Sequence, residues 1–220
     1  MSIIRINESL EMQNVSNKLR SEGKSIAFVP TMGALHEGHL SLVDEACKKA
    51  DEVVVSIFVN PKQFGPNEDY GEYIRDLEGD LKKLSKYKVG YLFNPGVKDI
   101  YNEGFQTYVV VEELQKFLCG KIRPGHFKGV STVVLKLFNI VKPDFAVFGK
   151  KDYQQFKLIE RMVKDLNLEI EIIGMPIIRE ESGLAMSSRN KYLSENEKKR
   201  ASNIYKSLNI IKKLFYEGQN

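Results

Sequence analysis

The sequence is poor in the residue types that mark several protein classes. Its 220 residues contain no tryptophan, two cysteines and three histidines. Cys47 and Cys119 stand apart without metal-binding or redox spacing, so we expect two free thiols rather than a disulfide framework. No apolar run approaches the roughly 20 residues of a membrane span, and the amino terminus lacks the apolar core and cleavage site of a signal peptide. These features favour a cytoplasmic protein without a membrane partner.

The sequence also has little excess of one charge sign over the other. Lys and Arg number 33 against 29 Asp and Glu, which gives a formal net charge of +4. The basic residues are scattered among acidic ones, whereas a nucleic-acid interface requires a denser basic patch. We therefore expect no nucleic-acid partner, and a small anionic substrate fits this charge equally well.

Short β-branched runs alternate with stretches of helical apolar spacing. The pattern predicts strands at 25–29, 52–59, 91–93, 144–148 and 169–173, with helices at 7–22, 38–50, 74–86, 131–141 and 152–166. Gly23 is expected to end the first helix, and Pro30 to close the first strand. This alternation is typical of an α/β fold, here a Rossmann-like, doubly wound and mostly parallel sheet with helices on both faces.

Ligands of such sheets bind outside the carboxyl ends of the strands. Polar junctions rich in Gly and Pro follow Val29, Val59 and Phe148, and another lies near Gly183. We therefore predict that four unusual loops share one edge of the sheet.

The pattern changes from about Arg179, so we predict a first domain over 1–178 and a second over 179–220. Ser194 and Glu197 form a capping-box sequence that opens a helix. That helix has an apolar face made by Ile204, Leu208, Ile211 and Leu214. Nothing later in the sequence covers this face, so we expect that the helix packs on the first domain or that the chain holds only the beginning of a truncated second domain.

The strongest chemical signal is Pro-Thr-Met-Gly-Ala-Leu-His-Glu-Gly-His at 30–39. A strand ends, a glycine-containing loop follows, and a helix is predicted to start near Gly38, where free amides suit phosphate oxygens. His36 and His39 are three residues apart, so both can donate to charge that develops on one phosphate. The alternatives are a capping histidine and a His-x-x-His metal pair; no further ligand cluster supports the metal pair. The order of strand, loop and helix favours nucleotide binding.

Two further segments carry groups that suit a triphosphate. Ser187, Ser188 and Arg189 lie on a short loop and could hold a leaving pyrophosphate, although their composition is also that of an ordinary loop. Lys151 could reach a phosphate from the start of a helix, with Gln155 one turn further on. The alternative for that segment is a solvated lysine pair before a helix that Asp152 caps.

Amide side chains follow the second predicted strand. Asn60 and Gln63 are well placed to orient a small polar substrate, although Asn60 could equally stabilise the turn before Pro61. The segment Arg-Pro-Gly-His-Phe at 123–127 is another loop candidate, and for His126 we expect a structural role.

Together these segments resemble the pantothenate synthetase (pantoate–β-alanine ligase) family. This family belongs to a superfamily with class I aminoacyl-tRNA synthetases and other nucleotidylyltransferases that carry a His-x-Gly-His motif. The resemblance rests on five motifs in order: PTMGALHEGH, SIFVNPKQF, RPGHF, KDYQQ and MSSRN. It implies a Mg²⁺-dependent reaction in which pantoate and ATP give pantoyl adenylate, and β-alanine then displaces AMP to form pantothenate.

The resemblance also implies roles for individual residues. The ATP site would comprise Met32, Gly33, Ala34, Leu35, His36, Glu37, Gly38, His39, Gly149, Lys150, Lys151, Asp152, Ile178, Met186, Ser187, Ser188 and Arg189. The catalytic groups among them would be His36, His39, Lys151, Ser187, Ser188 and Arg189, with His39 as the proton donor. Gln63 and Gln155 would bind pantoate, with Gln63 near β-alanine as well and Asn60 beside it.

Position 150 departs from the family pattern, because Lys150 stands where the family usually has Glu. Family members also continue beyond residue 220, and they are expected to form homodimers through the first domain. Two alternatives remain at this point: a related nucleotidylyltransferase, and a nucleotide-binding fragment with weak catalysis.

Overall fold

The computed structural model describes residues 3–219. Within that range the strands are β1 (Ile4–Ile6), β2 (Ile26–Thr31), β3 (Glu52–Ile57), β4 (Tyr91–Phe93), β5 (Phe145–Gly149) and β6 (Glu171–Met175). The helices are α1 (Ser9–Ser21), α2 (Glu37–Lys49), α3 (Leu77–Leu84), α4 (Val97–Ile100), α5 (Leu118–Ile122), α6 (His126–Val141), α7 (Tyr153–Asp165), α8 (Glu195–Ala201) and α9 (Asn203–Tyr216). None of the described helices is long and apolar enough to cross a membrane.

All six strands pair in parallel, in the order β1-β4-β3-β2-β5-β6. From β2 the chain winds through β3 to β4 in one direction, and then returns to lay β5 and β6 on the other side of β2. The prediction of a doubly wound parallel sheet is confirmed. The winding reverses between β2 and β5, and a crevice for ligands opens at such a switch point.

Alternate residues of the central strands pack into two cores. Ile26 and Phe28 of β2 face the core under α1, α6 and α7, while Ala27 and Val29 face the core under α2 and α3. Because successive side chains of a strand point to opposite faces, an uninterrupted apolar run is what a doubly covered strand requires.

The structure differs from the sequence predictions at several element ends and in one additional strand. Strand β2 continues through Pro30 to Thr31, which is tolerated because β5 pairs with β2 only at Ala27 and Phe28. Strand β1 is not predicted by the pattern, because three residues are too few to show a period. Helix α6 begins at His126, five residues before the predicted start at 131.

The predicted capping box is present, since Ser194 and Glu197 bond each other's backbone amides. The prediction of a single helix after this capping box is wrong, because the segment forms two helices, α8 and α9, separated at Ser202. The Ser202 hydroxyl is buried and donates to the carbonyl of Lys199. The apolar side chains of α9 are exposed, for example Ile211 at 60%.

Candidate active site

The loop between β2 and α2 is held in an unusual backbone conformation. Gly33 and Ala34 both have positive φ, at 82° and 51°, and the value at Ala34 is uncommon for a residue with a Cβ. The buried Asp80 of α3 holds this loop: its Oδ2 accepts from the Ala34 amide at 2.8 Å and its Oδ1 from the Leu35 amide at 2.7 Å. These two amides are therefore committed to Asp80, and the loop is fixed before any ligand binds.

The two histidines at the start of α2 share one tautomer. The Nδ1 of His36 accepts from the amide of Gly38 at 3.1 Å, and the Nδ1 of His39 accepts from the amide of His36 at 3.4 Å. Because a backbone N–H can only donate, both Nδ1 atoms are unprotonated and each neutral ring carries its proton on Nε2. The ring centroids lie 4.1 Å apart. The loop thus presents two neighbouring N–H donors.

Both imidazoles are neutral at physiological pH. Burial lowers the pKa of His36 to about 4, with a further contribution from the charge of Lys151. Burial also lowers the pKa of His39 to about 3, assisted by His36 and Lys151. At neutral pH these rings therefore act as hydrogen-bond donors without a positive charge.

Two cavities adjoin at the switch point between β2 and β5. The α2-side cavity, of about 140 Å³, is lined by Pro30, His36, Gly38, His39, Leu42, Val147, Phe148, Gly149, Lys151, Asp152, Gln155, Pro176, Ile177, Ile178 and Met186. The α6-side cavity, of about 180 Å³, is lined by Pro30, Thr31, Met32, His39, Phe58, Asn60, Gln63, Tyr73, Val130, Val133, Val134, Leu137, Phe148, Asp152 and Gln155. Their shared wall includes His39, Asp152 and Gln155, so a group in either cavity can meet the same three side chains.

The amide pair after β3 belongs to the α6-side cavity. Asn60 is 1% exposed; its Oδ1 accepts from Tyr101 Oη at 2.8 Å, and its Nδ2 donates to the Gly129 carbonyl at 3.1 Å and to Gln63 Oε1 at 3.0 Å. The Nε2 of Gln63 meets the thioether of Met32 at 3.2 Å, which is a weak acceptor. Asn60 is thus fully committed to protein partners, and Gln63 keeps donor capacity for a ligand.

Comparison with known proteins identifies the family of this chain. Residues 4–220 match the family model described as pantoate-beta-alanine ligase. The pantothenate synthetase of Caldicellulosiruptor bescii is 57% identical over 209 residues, which is 95% of this chain and 74% of that protein. The chain belongs to the pantoate–β-alanine ligase family.

Solved structures of the family share the fold. Pantothenate synthetase from Thermus thermophilus aligns with a TM-score of 0.93 and 46% identity, over 98% of this chain and 77% of that one. The pantoate–β-alanine ligase from Francisella tularensis, solved with Beta-gamma ATP and β-alanine, aligns with a TM-score of 0.87 and 45% identity, over 93% and 78% of the two chains.

The loop carrying Arg189 follows Met186, which lines the α2-side cavity. Arg189 donates to both carboxylate oxygens of Asp69, from Nε at 2.9 Å and from Nη2 at 2.7 Å. Its guanidinium also lies 5.6 Å from the ring centre of Tyr73. Of the predicted residues here, Met186 lines the α2-side cavity, whereas Ser187, Ser188 and Arg189 line neither cavity.

The remaining predicted residues divide in the same way. Gly149, Lys151, Asp152, Ile178 and Gln155 line the α2-side cavity, and Met32 lines the α6-side cavity. Gly33, Ala34, Leu35, Glu37 and Lys150 line neither. Lys150 instead lies over the ring of Phe156, with Nζ 5.8 Å from its centre, so its side chain turns away from the shared wall.

Sequence reasoning missed the apolar half of the α6-side cavity. Val130, Val133, Val134 and Leu137 of α6 line it together with Phe58 and Tyr73. In the sequence these α6 residues have the spacing of ordinary core positions, and the pattern offers no sign that one helix face meets a cavity. The polar groups of this pocket therefore share it with several apolar side chains, as is usual for a small-molecule site.

Proposed function

We propose that the α2-side cavity binds ATP and that the α6-side cavity binds pantoate. This proposal rests on the shared wall, because His39, Asp152 and Gln155 line both cavities. An ATP α-phosphate and an acid carboxylate can therefore meet beside His39. The chain is thus a ligase that uses ATP to join pantoate to β-alanine.

The first step needs positioning and charge stabilisation rather than a protein nucleophile. A carboxylate oxygen of pantoate forms a bond to the α-phosphorus, and the bond from that phosphorus to the bridging oxygen breaks to release pyrophosphate. We assign the Nε2–H groups of His36 and His39 to the phosphate oxygens, on which charge grows in this step. Lys151 adds a positive charge from the α2-side cavity.

In the second step the amine of β-alanine forms a bond to the acyl carbon of pantoyl adenylate. The bond from that carbon to the AMP oxygen breaks, AMP leaves, and the amine releases its extra proton to solvent. We assign Gln63 and Gln155 to the pantoate hydroxyl and carbonyl groups. Their amides can both donate and accept, and they reach the pocket from different elements.

Magnesium fits this site as a companion of ATP. The described residues hold no cluster of three His, Cys, Asp or Glu side chains suited to a metal ion, and Mg²⁺ bound to a nucleotide needs only one or two carboxylates besides phosphates and water. We propose Asp152, the carboxylate that lines both cavities, as the protein's contribution. The ion would neutralise charge on the triphosphate.

We make three further proposals, of which the homodimer rests on the family resemblance and the other two on the sequence pattern. They are a cytoplasmic location, a homodimer formed by the first domain, and a domain boundary between 178 and 179. Two free thiols, Cys47 and Cys119, fit the first of these. Light scattering on the purified chain tests the second.

Exchange of labelled pyrophosphate into ATP tests the proposed function. We expect exchange that requires pantoate, and AMP release that requires both pantoate and β-alanine. Exchange without pantoate would instead indicate simple nucleotidyl transfer.

Neighbouring glutamines provide a matched pair of variants for the same assay. We expect Gln155→Ala to raise the KM for pantoate about tenfold or more. Gln154→Ala should leave it unchanged, because Gln154 bonds the carbonyls of Leu114 and Phe117 outside the cavities. Equal effects of the two variants would refute the assignment of Gln155.

A further inference from the structure

A chain of hydrogen bonds outside both cavities ends on the backbone of Gln63. Arg123, just before α6, donates from Nε to Glu68 Oε1 at 2.7 Å and also bonds Glu68 Oε2 through Nη2. Its remaining Nη1 lies 3.1 Å from Nε2 of His126. The Nδ1 of His126 lies 2.8 Å from the carbonyl oxygen of Gln63.

The donor and acceptor roles in this series of hydrogen bonds follow from Arg123, its first donor. A guanidinium has no acceptor, so Nε2 of His126 must accept from Arg123 and carries no proton. The ring proton is therefore on Nδ1, which donates to the Gln63 carbonyl. Glu68 in turn holds the guanidinium by a two-pronged ion pair, whose geometry fixes the plane of the arginine. Each group thus sets the orientation of the next.

The same turn is fixed from a second side. Helix α6 approaches so closely at Gly129 that a Cβ there would lie 2.2 Å from the carbonyl oxygen of Lys62. The carbonyl of Gly129 also accepts from Asn60. His126, one turn earlier on α6, therefore holds the main chain of Gln63, while Asn60 holds its side-chain oxygen. The only part of Gln63 left without a strong partner is its Nε2.

We propose that Glu68, Arg123 and His126 are positioning residues that aim the Gln63 amide into the α6-side cavity. None of the three lines either cavity, so they act through Gln63 and not on the substrate. This inference rests on the proposed role of Gln63 in binding pantoate. It adds that the affinity for the acid depends on a carbonyl contact made from another part of the chain.

Two variants of His126 separate positioning from general support of the fold. The amide nitrogen of Asn can take the place of Nδ1 and donate to the Gln63 carbonyl, whereas Ala cannot. We expect His126→Ala to raise the KM for pantoate about five- to tenfold, the effect of one lost hydrogen bond. The KM for ATP should change less than twofold, and His126→Asn should recover most of the affinity for pantoate.

Arg123→Lys provides a second route if His126→Ala folds poorly. Lysine keeps the charge opposite Glu68 but lacks the planar fork that bonds both carboxylate oxygens and His126 at once. We expect a smaller rise in the KM for pantoate with the same selectivity over ATP. A parallel rise in both KM values, or equal defects in the Ala and Asn variants of His126, would overturn the proposal.

Gln63→Ala distinguishes failure of this inference from failure of the proposed function. If Gln63→Ala leaves the KM for pantoate unchanged, the substrate assignment itself is wrong. If Gln63→Ala raises that KM and His126→Ala does not, the substrate assignment stands and the positioning role is refuted.

Discussion

Two loops of the site are each held by an aspartate from the segment between β3 and β4, and in different ways. Asp80 is 1% exposed and binds backbone amides of the loop before α2. Asp69 has a side chain that is 24% exposed, and it binds the side chain of Arg189. A buried carboxylate that accepts from the main chain resists displacement, whereas an exposed ion pair contributes little and exchanges readily. The histidine loop is therefore preorganised, and the Arg189 side chain is tethered but movable.

The comparison predicts where ligand binding requires the least rearrangement of the protein. The imidazoles of the histidine loop are already oriented, so ATP bound there as proposed would need no rearrangement of them. For Arg189, the predicted contact with phosphate would compete with Asp69 for Nε and Nη2. We therefore expect the largest losses of activity on the preorganised side.

Replacing His39 should have the largest effect. His39→Ala removes an Nε2–H donor at the shared wall, and we expect adenylate formation to slow about a hundredfold to a thousandfold. Pantoate-dependent pyrophosphate exchange measures this rate. Thermal unfolding should remain cooperative, because the rest of α2 keeps its buried face. An unchanged exchange rate would remove His39 from the catalytic groups.

Replacing Asp80 should have an intermediate effect, mainly on stability. Asp80→Asn turns an NH₂ group toward one of two buried amides, and we expect a loss of about 2–4 kcal/mol in the free energy of unfolding. Urea denaturation measures that loss.

Asp76→Asn serves as the control for Asp80 because Asp76 caps the same helix from the surface, accepting from the Gly79 amide at 3.0 Å. Asparagine is an equally good cap, so this variant should change stability by less than about 0.5 kcal/mol. Similar losses in the two variants would show that the buried loop contacts of Asp80 are not special.

Replacing Asp69 should have the smallest effect, and it should improve ATP binding where the other replacements impair the protein. Asp69→Asn releases Arg189, so we expect the KM for ATP to fall about two- to fivefold, the range for an exposed ion pair. Arg161 and Asp165 form a comparable exposed pair at 2.8 Å on α7, and Asp165→Asn should leave this KM unchanged. A rise in the KM for ATP in Asp69→Asn would mean that Asp69 aligns Arg189 for binding instead of competing for it.

The sequence predicts the parts of this site that depend on local pattern. Apolar runs identify the central strands, and the strand, loop and helix around His36 and His39 indicate the end of the site that we propose for the nucleotide. The contacts that hold these residues are invisible locally, since Asp80 lies 46 residues from Ala34 and Glu68 lies 55 residues from Arg123. A lone carboxylate in a polar stretch looks the same whether it is solvated or buried against a loop.

The division of the C-terminal segment into two helices shows a second limit of prediction from the sequence. Helical spacing continues across Ser202, so the pattern predicts one helix, whereas α8 ends before Ser202, α9 begins after it, and the buried Ser202 hydroxyl bonds the preceding turn. Serine side chains that bond the backbone in this manner are hard to distinguish from solvated ones by sequence.

The shared wall has a consequence for the fate of the reaction intermediate. An acyl adenylate carries its acid at one end and its nucleotide at the other, so in the proposed arrangement it would extend from one cavity into the other past His39. Neither half could depart alone while its bond to the other half lasts. Anchorage at both ends would slow escape of this hydrolysis-prone mixed anhydride and give the amine time to arrive.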